Sequence, residues 1–169
     1  MQYKEVMDMA KELKTNAMRF LDKNKIGYDI RIYECDEFID GVTVAEALGQ
    51  PVEETFKTLV AQGKTGAFYC FLVPVALELD LKKAARSVGE KSVELIHVKD
   101  INKVTGYIRG GCTPLGMKKQ YPTVVDSSAE NFSEIIISGG RLGSQIFLDP
   151  KDLVKVTGGK FESIIFEQV

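Results

Sequence analysis

The chain has 169 residues, 44% of them hydrophobic, and its 22 basic and 24 acidic residues give a formal net charge of -2 at pH 7. This length and composition predict one domain around a single core, and no apolar run approaches the ~20 residues of a transmembrane helix. The charge balance excludes a strong overall attraction to nucleic acid, so any RNA contact has to be local.

The three cysteines have neither a metal-binding spacing nor a paired one. An odd number of thiols is typical of a reducing compartment, and charged residues interrupt the apolar positions at the amino end, unlike a secretory signal. We therefore expect a cytoplasmic protein without a metal or cofactor, and with neither membrane nor DNA as a partner.

The first predicted elements are a long helix, a strand and a short helix. Apolar residues recur every three to four positions over residues 3–20, which predicts an amphipathic helix that Thr15 and Asn16 can divide in two. Residues 28–33 alternate between apolar and polar side chains, which predicts a half-buried strand. Thr43, with Glu46 three positions later, has the spacing of a capping box and predicts a helix over residues 44–48, ended by Gly49.

A hairpin and a capped helix are predicted next. Residues 56–62 and 67–73 have the composition of strands and are separated by a four-residue turn with a glycine at each end. Asp80 is a favourable amino-terminal cap for a helix over residues 81–88, and Gly89 ends it.

The remaining chain alternates short strands with short helices. A helical turn is predicted between Asp100 and Gly106, another after Ser128, and a third at Asp149 with Pro150 in its first position. Strands are predicted over residues 93–98, 123–126, 134–138, 145–148 and 161–166. Because the spacing is not that of regular βαβ units, these elements predict a mixed α/β domain.

Residues 104–122 form a glycine-rich stretch that differs from ordinary core sequence. Gly110 and Gly111 permit positive φ and a close approach by another molecule, and Pro114 and Gly116 favour a turn. Exposed amides in such a turn can hold a phosphate or a carbonyl oxygen. Nearby positive charge comes from Arg109, Lys118 and Lys119. A rigid connection with a solvated basic rim is the alternative.

Few side chains are suited to nucleophilic catalysis. The single histidine, His97, lies in a short apolar stretch and is more typical of a structural residue. Cys112 follows two glycines but has no identified base, so we interpret it as part of a pocket wall. Lys57 lies within a predicted strand, where a lysine either faces solvent at a sheet edge or reaches into a cleft.

Four passages together resemble the YbaK/EbsC family of aminoacyl-tRNA deacylases, relatives of the editing domain of bacterial prolyl-tRNA synthetases. They are the glycine-rich stretch, Phe56-Lys57-Thr58-Leu59, Pro74-Val75 with Leu79-Asp80-Leu81-Lys82-Lys83, and Ile137-Ser138-Gly139-Gly140. The resemblance begins near Thr15, so it implies a helical extension over residues 1–14 and an editing domain over residues 15–169. It also implies a curved, mostly antiparallel sheet that approaches a barrel, with helices outside.

The resemblance implies the site residues as well. Lys57 and Gly110 would be catalytic, Lys57 as a cation that holds the substrate and Gly110 as part of the pocket over the aminoacyl ester. The implied substrate-binding residues are Tyr33, Thr58, Gly111, Cys112, Pro114, Ser138, Gly139 and Gln145. Gln145 stands where relatives of the cysteinyl-tRNA deacylase carry an aspartate. A glutamine keeps hydrogen-bonding capacity but lacks the charge, which puts the amino-acid specificity in question.

The implied function is a trans-editing hydrolase that removes a wrong amino acid, cysteine on proline tRNA, with the acceptor end of aminoacyl-tRNA as its partner. Prolyl-tRNA synthetase is a candidate partner. Two alternatives remain: alanine removal with a water nucleophile, and a non-catalytic RNA- or nucleotide-binding module. Residues that can form a local basic patch are Lys57, Lys64, Lys82, Lys83, Arg86, Arg109, Lys118 and Lys119.

Overall fold

The structure, a computed structural model, describes residues 14–167, in which eight strands form two sheets and are accompanied by five α-helices. The mixed α/β class predicted from the sequence is confirmed. The predicted extension over residues 1–14 lies outside the described residues except for Lys14.

The larger sheet has the strand order β4-β2-β3-β5-β8. Its strands are β2 (Phe56–Gly63), β3 (Phe68–Pro74), β4 (Val93–Leu95), β5 (Thr123–Asp126) and β8 (Lys160–Glu162). The β2–β3 hairpin is antiparallel, as predicted, and β4 is antiparallel to β2. The pairs β3–β5 and β5–β8 are parallel.

The smaller sheet is fully antiparallel and has the order β1-β7-β6. It contains β1 (Asp29–Ile32), β6 (Ile135–Ser138) and β7 (Ser144–Leu148). A single parallel bridge between Thr55 and Ile136 links the two sheets. The expected approach to a barrel is corrected by this arrangement: closure needs every edge strand to be paired, whereas β4 and β8 remain edges of the larger sheet within the described chain.

The prediction of a half-buried first strand is wrong. All four residues of β1 are exposed, including Ile30 at 36% and Ile32 at 42% of full exposure. β1 is an edge strand that pairs with β7 alone, so alternation of apolar and polar residues does not produce a buried face here.

Five short helices flank the sheets. They are α1 (Asn16–Lys23), α2 (Gly41–Ala47), α3 (Leu81–Ser87), α4 (Ile101–Thr105) and α5 (Pro150–Thr157). The predicted caps Asp80 and Asp149 are confirmed, since each side chain accepts a backbone hydrogen bond from the first turn. The cap of α2 is corrected: Asp40, not Thr43, begins the helix, and its carboxylate accepts a hydrogen bond from the Thr43 amide at 3.0 Å.

Three other predicted elements are shorter or of another kind. The strand predicted over residues 93–98 stops at Leu95, and the one over residues 161–166 is replaced by β8 and an isolated bridge between Leu79 and Ile165. The helix after Ser128 is a 3₁₀ turn, Ser127–Asn131, capped by Asp126. These short segments carry too few residues for their periodicity to fix their ends.

The main core lies where α1 and α5 pack against both sheets. Its largest fully buried side chains include Met18, Leu72, Ile137, Ile146 and Leu153. A second cluster joins β3 and β5 to α3, and a third surrounds Cys70 and Cys112. Within residues 14–167, no helix has the length and apolar character needed to cross a membrane.

Candidate functional site

A cavity of about 460 Å³ opens beside the first half of β2. This volume lies within the range of about 300–1,000 Å³ that is usual for small-molecule sites. Most of the predicted site residues meet in its wall although they come from distant parts of the sequence. These are Tyr33, Lys57, Thr58, Gly110, Cys112, Ser138 and Gln145.

Lys57 reaches the cavity because β4 is short. β4 pairs only with residues 61–63 of β2, so residues 56–60 have a strand partner, β3, on one side, while the cavity lies along the other. The Lys57 ammonium lies 3.9 Å from a carboxylate oxygen of Glu78, whose side chain is 80% exposed. A long, solvated ion pair of this kind is weak, so the Lys57 charge remains available to a bound anion.

Gly110 adopts a φ of +84°, a left-handed conformation that favours glycine. A β-carbon at this position would lie 2.8 Å from a methyl group of Leu142 and 3.1 Å from the Phe38 ring. The Gly110 carbonyl accepts a hydrogen bond from the Ser138 hydroxyl at 3.4 Å, and that hydroxyl in turn accepts one from the Gly140 amide at 3.2 Å. Ser138 thus connects the glycine-rich stretch to the loop after β6.

Arg109 and Phe38 also line the cavity. The sequence indicated Arg109 only as positive charge near the glycine-rich stretch, and it did not indicate Phe38. The guanidinium carbon of Arg109 lies 3.9 Å from the centre of the Phe38 ring. Both residues are exposed and line the cavity. A guanidinium that rests on an aromatic face keeps its N–H edges free for phosphate or carboxylate. The position of an arginine directly before Gly110 was the only sequence signal for this contact.

The thiol of Cys112 is poorly suited to act as a nucleophile. The residue is 8% exposed, and burial raises the pKa of its thiol to about 11. It is therefore protonated at neutral pH, whereas attack requires the thiolate. Burial also raises the pKa of Tyr33, so its phenol stays neutral. These features agree with the interpretation of Cys112 as pocket wall.

No histidine among the described residues lines this cavity. His97 is exposed and lines a neighbouring cavity beside β4. Asp40 is a carboxylate in the wall, but its oxygens accept hydrogen bonds from the Thr43 amide and hydroxyl. These bonds, the one from the amide foremost, lower the pKa of Asp40. It is thus a helix cap and a weaker base than a carboxylate without such partners.

Gln145 lies in the wall but is only 5% exposed, and its amide is paired with that of Gln50. The Gln50 amide nitrogen donates to the Gln145 carbonyl oxygen at 2.7 Å, and the Gln145 amide nitrogen donates back to the Gln50 oxygen at 3.0 Å. The place where the resemblance implies an aspartate is therefore occupied by a neutral pair. The sequence offered no signal for Gln50.

Gly111, Pro114 and Gly139 are buried and are not among the residues that line the cavity. A β-carbon at Gly111 would meet the Arg141 backbone at 2.9 Å, and one at Gly139 would meet the Ser144 hydroxyl at 2.3 Å. Pro114 is buried. A contact of these three residues with substrate stays a prediction.

Only some of the basic residues predicted to form a patch lie at the cavity. Lys57 and Arg109 are the members that line the cavity. Lys118 and Lys119 are exposed on the segment that leads to β5. The cations around the cavity are thus few and placed at specific points of its wall.

Two hydroxyl groups near the cavity have no hydrogen-bond partner. They belong to Thr58 and Ser144, both of which line the cavity and have oxygens that are buried. Buried polar groups are normally paired, so each can gain a partner if its side chain turns towards a bound molecule. Within residues 14–167, no group of three or more histidine, cysteine, aspartate or glutamate side chains is placed to hold a metal ion.

Comparison with known proteins points to one family. The aminoacyl-tRNA editing domain matches residues 40–156, which is more than half of the chain. A protein of Enterococcus faecalis, named as a candidate Cys-tRNA(Pro)/Cys-tRNA(Cys) deacylase, EbsC, is 45% identical over 155 residues, covering 89% of this chain and 93% of that protein.

Two further similarities concern proline tRNA. A proline–tRNA ligase of Trichlorobacter lovleyi is 32% identical over 94 residues, which cover 56% of this chain and 16% of the ligase. The crystal structure of a candidate trans-editing enzyme for prolyl-tRNA synthetase is 25% identical, with a TM-score of 0.79, over 90% of this chain and 96% of that one.

Proposed function

The chain belongs to the aminoacyl-tRNA editing domain family, and from this premise we propose that it acts in trans to remove cysteine from mischarged proline tRNA. The reaction class is hydrolysis of the ester between an amino acid and tRNA. The substrate proposed for this chain is one of the two in the name of the Enterococcus faecalis relative.

The observation that carries the proposal is the cavity itself. It brings Lys57 and Gly110, 53 positions apart in the sequence, into one wall together with Arg109. Two cations beside a pocket of this size suit the 3′ end of an aminoacyl-tRNA, which has a phosphate next to its terminal ribose and an ester at the tip.

The residues of the wall favour catalysis by the substrate's own thiol. The described cavity contains no histidine, the Cys112 thiol is protonated, and the Asp40 carboxylate caps a helix. A cysteinyl ester supplies the missing nucleophile, because its side-chain sulfur can attack its own carbonyl carbon. The sulfur then loses its proton, and the ribose oxygen leaves and takes one up, which frees the tRNA. The released thioester is opened by water.

Lys57 has two tasks in this proposal. Its ammonium holds the acceptor end, and it stabilises the negative charge that develops on the ester carbonyl oxygen. A charge that is fixed before the reaction and faces the developing oxyanion is among the most effective catalytic devices, and loss of one such group costs about 100- to 1,000-fold in rate. Gly110 contributes by leaving room for the ester beside the backbone.

Removal of alanine with water as the nucleophile is the first alternative. It requires a group that accepts a proton from water, and the described wall offers only the Asp40 carboxylate, which is engaged with Thr43. This observation favours cysteine. The second alternative is a binding module without catalysis. Unlike either deacylase, such a module would bind tRNA but would not hydrolyse its ester.

The proposal is tested with three substrates on the same proline tRNA: cysteinyl, alanyl and seryl esters. Cysteinyl-tRNA should be hydrolysed fastest. A 2-aminobutyryl ester, which replaces the thiol with a methyl group of similar size, should be hydrolysed at least ~100-fold more slowly because its side chain cannot attack the carbonyl. Equal rates for the cysteinyl and 2-aminobutyryl esters would contradict the thiol mechanism. Binding of aminoacyl-tRNA without any hydrolysis would support the non-catalytic binding module.

A further inference from the structure

The amide pair joins Gln145, in the cavity wall, to the buried Gln50, which is 95 positions away in the sequence. Gln145 is in β7, and Gln50 lies three positions after the end of α2, whose residues Gly41 and Val44 also line the cavity. The backbone N–H of Gln50 donates to the Ala45 carbonyl at 2.8 Å, and this bond holds the chain in place where it leaves the helix.

Both side chains are buried, Gln50 at 8% and Gln145 at 5% exposure. Because the two hydrogen bonds run in opposite directions, each amide determines which way the other is turned. A half-turn of one amide alone would place oxygen against oxygen and nitrogen against nitrogen. Buried polar groups without partners are costly, so the two amides can turn over only together.

The pair also determines what the cavity wall offers at Gln145. An amide has two N–H donors and two oxygen lone pairs, and the pair uses one of each from both residues. Gln145 therefore keeps one free N–H and one free lone pair in the plane of the pair. The wall at this point is neutral and offers one donor and one acceptor.

We propose that Gln50 is a positioning residue that holds the Gln145 amide in place and in plane through two hydrogen bonds, so that the amino-acid preference of the cavity is set jointly by these two residues. This inference rests on the proposed function for the nature of the substrate. Gln50 does not itself line the cavity, and it acts through Gln145.

The test is a double-mutant cycle with Gln50→Leu, Gln145→Leu and the combined variant. For each protein, deacylation of cysteinyl-, alanyl- and seryl-tRNA is measured, and the ratios of kcat/KM between substrates are compared. Each single variant should change the cysteinyl-to-alanyl ratio by roughly 10-fold, the scale of one buried hydrogen bond. The double variant should change it no further, because either substitution alone already removes the amide pair.

The matched control is Gln120→Leu. Gln120 is exposed, and its side-chain nitrogen donates only to the carbonyl of the neighbouring Tyr121. Its substitution should leave the substrate ratios unchanged. If Gln50→Leu folds poorly, Gln50→Glu keeps the size and one acceptor but loses the donor to Gln145, and it should shift the ratio in the same direction.

Two results would overturn the proposal. In the first, Gln50→Leu and Gln50→Glu have the same cysteinyl-to-alanyl ratio of kcat/KM as the Gln120→Leu control, while Gln145→Leu changes that ratio. The other is a double variant whose change is the product of the two single changes, as for independent residues.

Failure of the proposed function is recognised separately. Amide-linked analogues of cysteinyl-, alanyl- and seryl-adenosine cannot be hydrolysed as esters, and calorimetry gives their relative affinities without any turnover. If the natural protein hydrolyses none of the esters, the deacylase function fails. The role of Gln50 is then still decided by whether the variants of the cycle bind the three analogues in a different order of affinity from the natural protein.

Discussion

Arg109 rests on Phe38 at the mouth of the cavity, with its guanidinium carbon 3.9 Å from the centre of the ring. The Phe38 ring is also the group that a side chain at Gly110 would contact. The arginine, the aromatic ring and the glycine therefore form one packed corner of the site. A change in one of them is expected to disturb the others.

The first prediction concerns this arginine. Arg109→Ala should raise KM for aminoacyl-tRNA by about 10-fold with a smaller effect on kcat, because a charge-assisted hydrogen bond to phosphate contributes ground-state binding. The dependence of the logarithm of affinity on the logarithm of salt concentration should also become shallower by about 0.7, the value for one phosphate contact on a single strand. Measurements of tRNA binding between low and moderate salt give this slope.

The matched control for Arg109→Ala is Arg86→Ala, since Arg86 is exposed on α3 and does not line the cavity. Its variant should keep the natural KM and salt slope. Equal effects of the two substitutions would mean that Arg109 acts only through the overall charge of the protein.

Gly110→Ala is expected to reduce both stability and activity. An alanine at φ +84° is strained by about 1–2 kcal/mol, and its methyl group would displace Leu142 and Phe38. Deacylation should fall by about 10-fold or more as this corner of the cavity moves. Denaturant unfolding and kcat/KM provide the two measurements.

Gly66→Ala separates the two effects. Gly66 has a φ of +93° in the hairpin turn, and nothing lies within 4 Å of its added methyl group. It should lose a similar amount of stability with unchanged activity. A Gly110→Ala protein that also retains its activity would exclude this glycine from the site.

Cys112→Ala should keep activity within roughly threefold of the natural protein, because a buried, protonated thiol does not take part as a nucleophile. Steady-state deacylation of cysteinyl-tRNA is the measurement, and Cys35→Ala serves as a control for the loss of a thiol outside the cavity. A loss of 100-fold or more in Cys112→Ala alone would identify the thiol as catalytic.

The buried thiol of Cys112 should also make the free energy of unfolding depend on pH. Burial raises its pKa from 9.0 to about 11. The unfolded chain therefore loses this proton first as the pH rises, and a stabilising contribution that is complete below pH 9 is lost between about pH 9 and pH 11. Its size is about 3 kcal/mol at 1.36 kcal/mol per pKa unit.

Urea unfolding at pH 7 and at pH 10.5 tests this sign. The stability of the natural protein relative to Cys112→Ala should decrease by about 2 kcal/mol between the two pH values, since titrating groups common to both proteins cancel. Ser128→Ala removes a buried, unpaired hydroxyl that does not titrate in this range. The difference in stability between the natural protein and this variant should therefore be the same at both pH values. A constant difference for Cys112→Ala too would mean that the thiol titrates as in the unfolded chain.

Local sequence signals predicted the elements whose ends are fixed by local chemistry. The caps at Asp80 and Asp149 and the glycine-containing hairpin turn are such cases. Lys57 and Gly110 were predicted as site residues through the resemblance of short passages to a family, and the fold brings them into one cavity. The failed prediction for β1 has a different origin, since its exposure depends on its place at the edge of the smaller sheet.

Contacts between distant segments were not accessible to the same reasoning. The Gln50–Gln145 pair spans 95 positions, and neither glutamine has a neighbour that marks it. The contact of Arg109 with Phe38 likewise depends on how the loop before α2 folds over the glycine-rich stretch. Whether the sheets close into a barrel is also a matter of strand order, which hydrophobic patterns do not specify.

The most direct test of the central claim is the rate at which the natural protein and Lys57→Ala release cysteine from cysteinyl-tRNA(Pro) under single-turnover conditions. Lys57 is half-buried beside the cavity and has only a weak ion pair with Glu78, so its replacement should leave the unfolding transition nearly unchanged. The account predicts rapid release by the natural protein and a reduction of ~100-fold or more in Lys57→Ala. An equal rate in a folded Lys57→Ala protein, or no release by the natural protein, would contradict it.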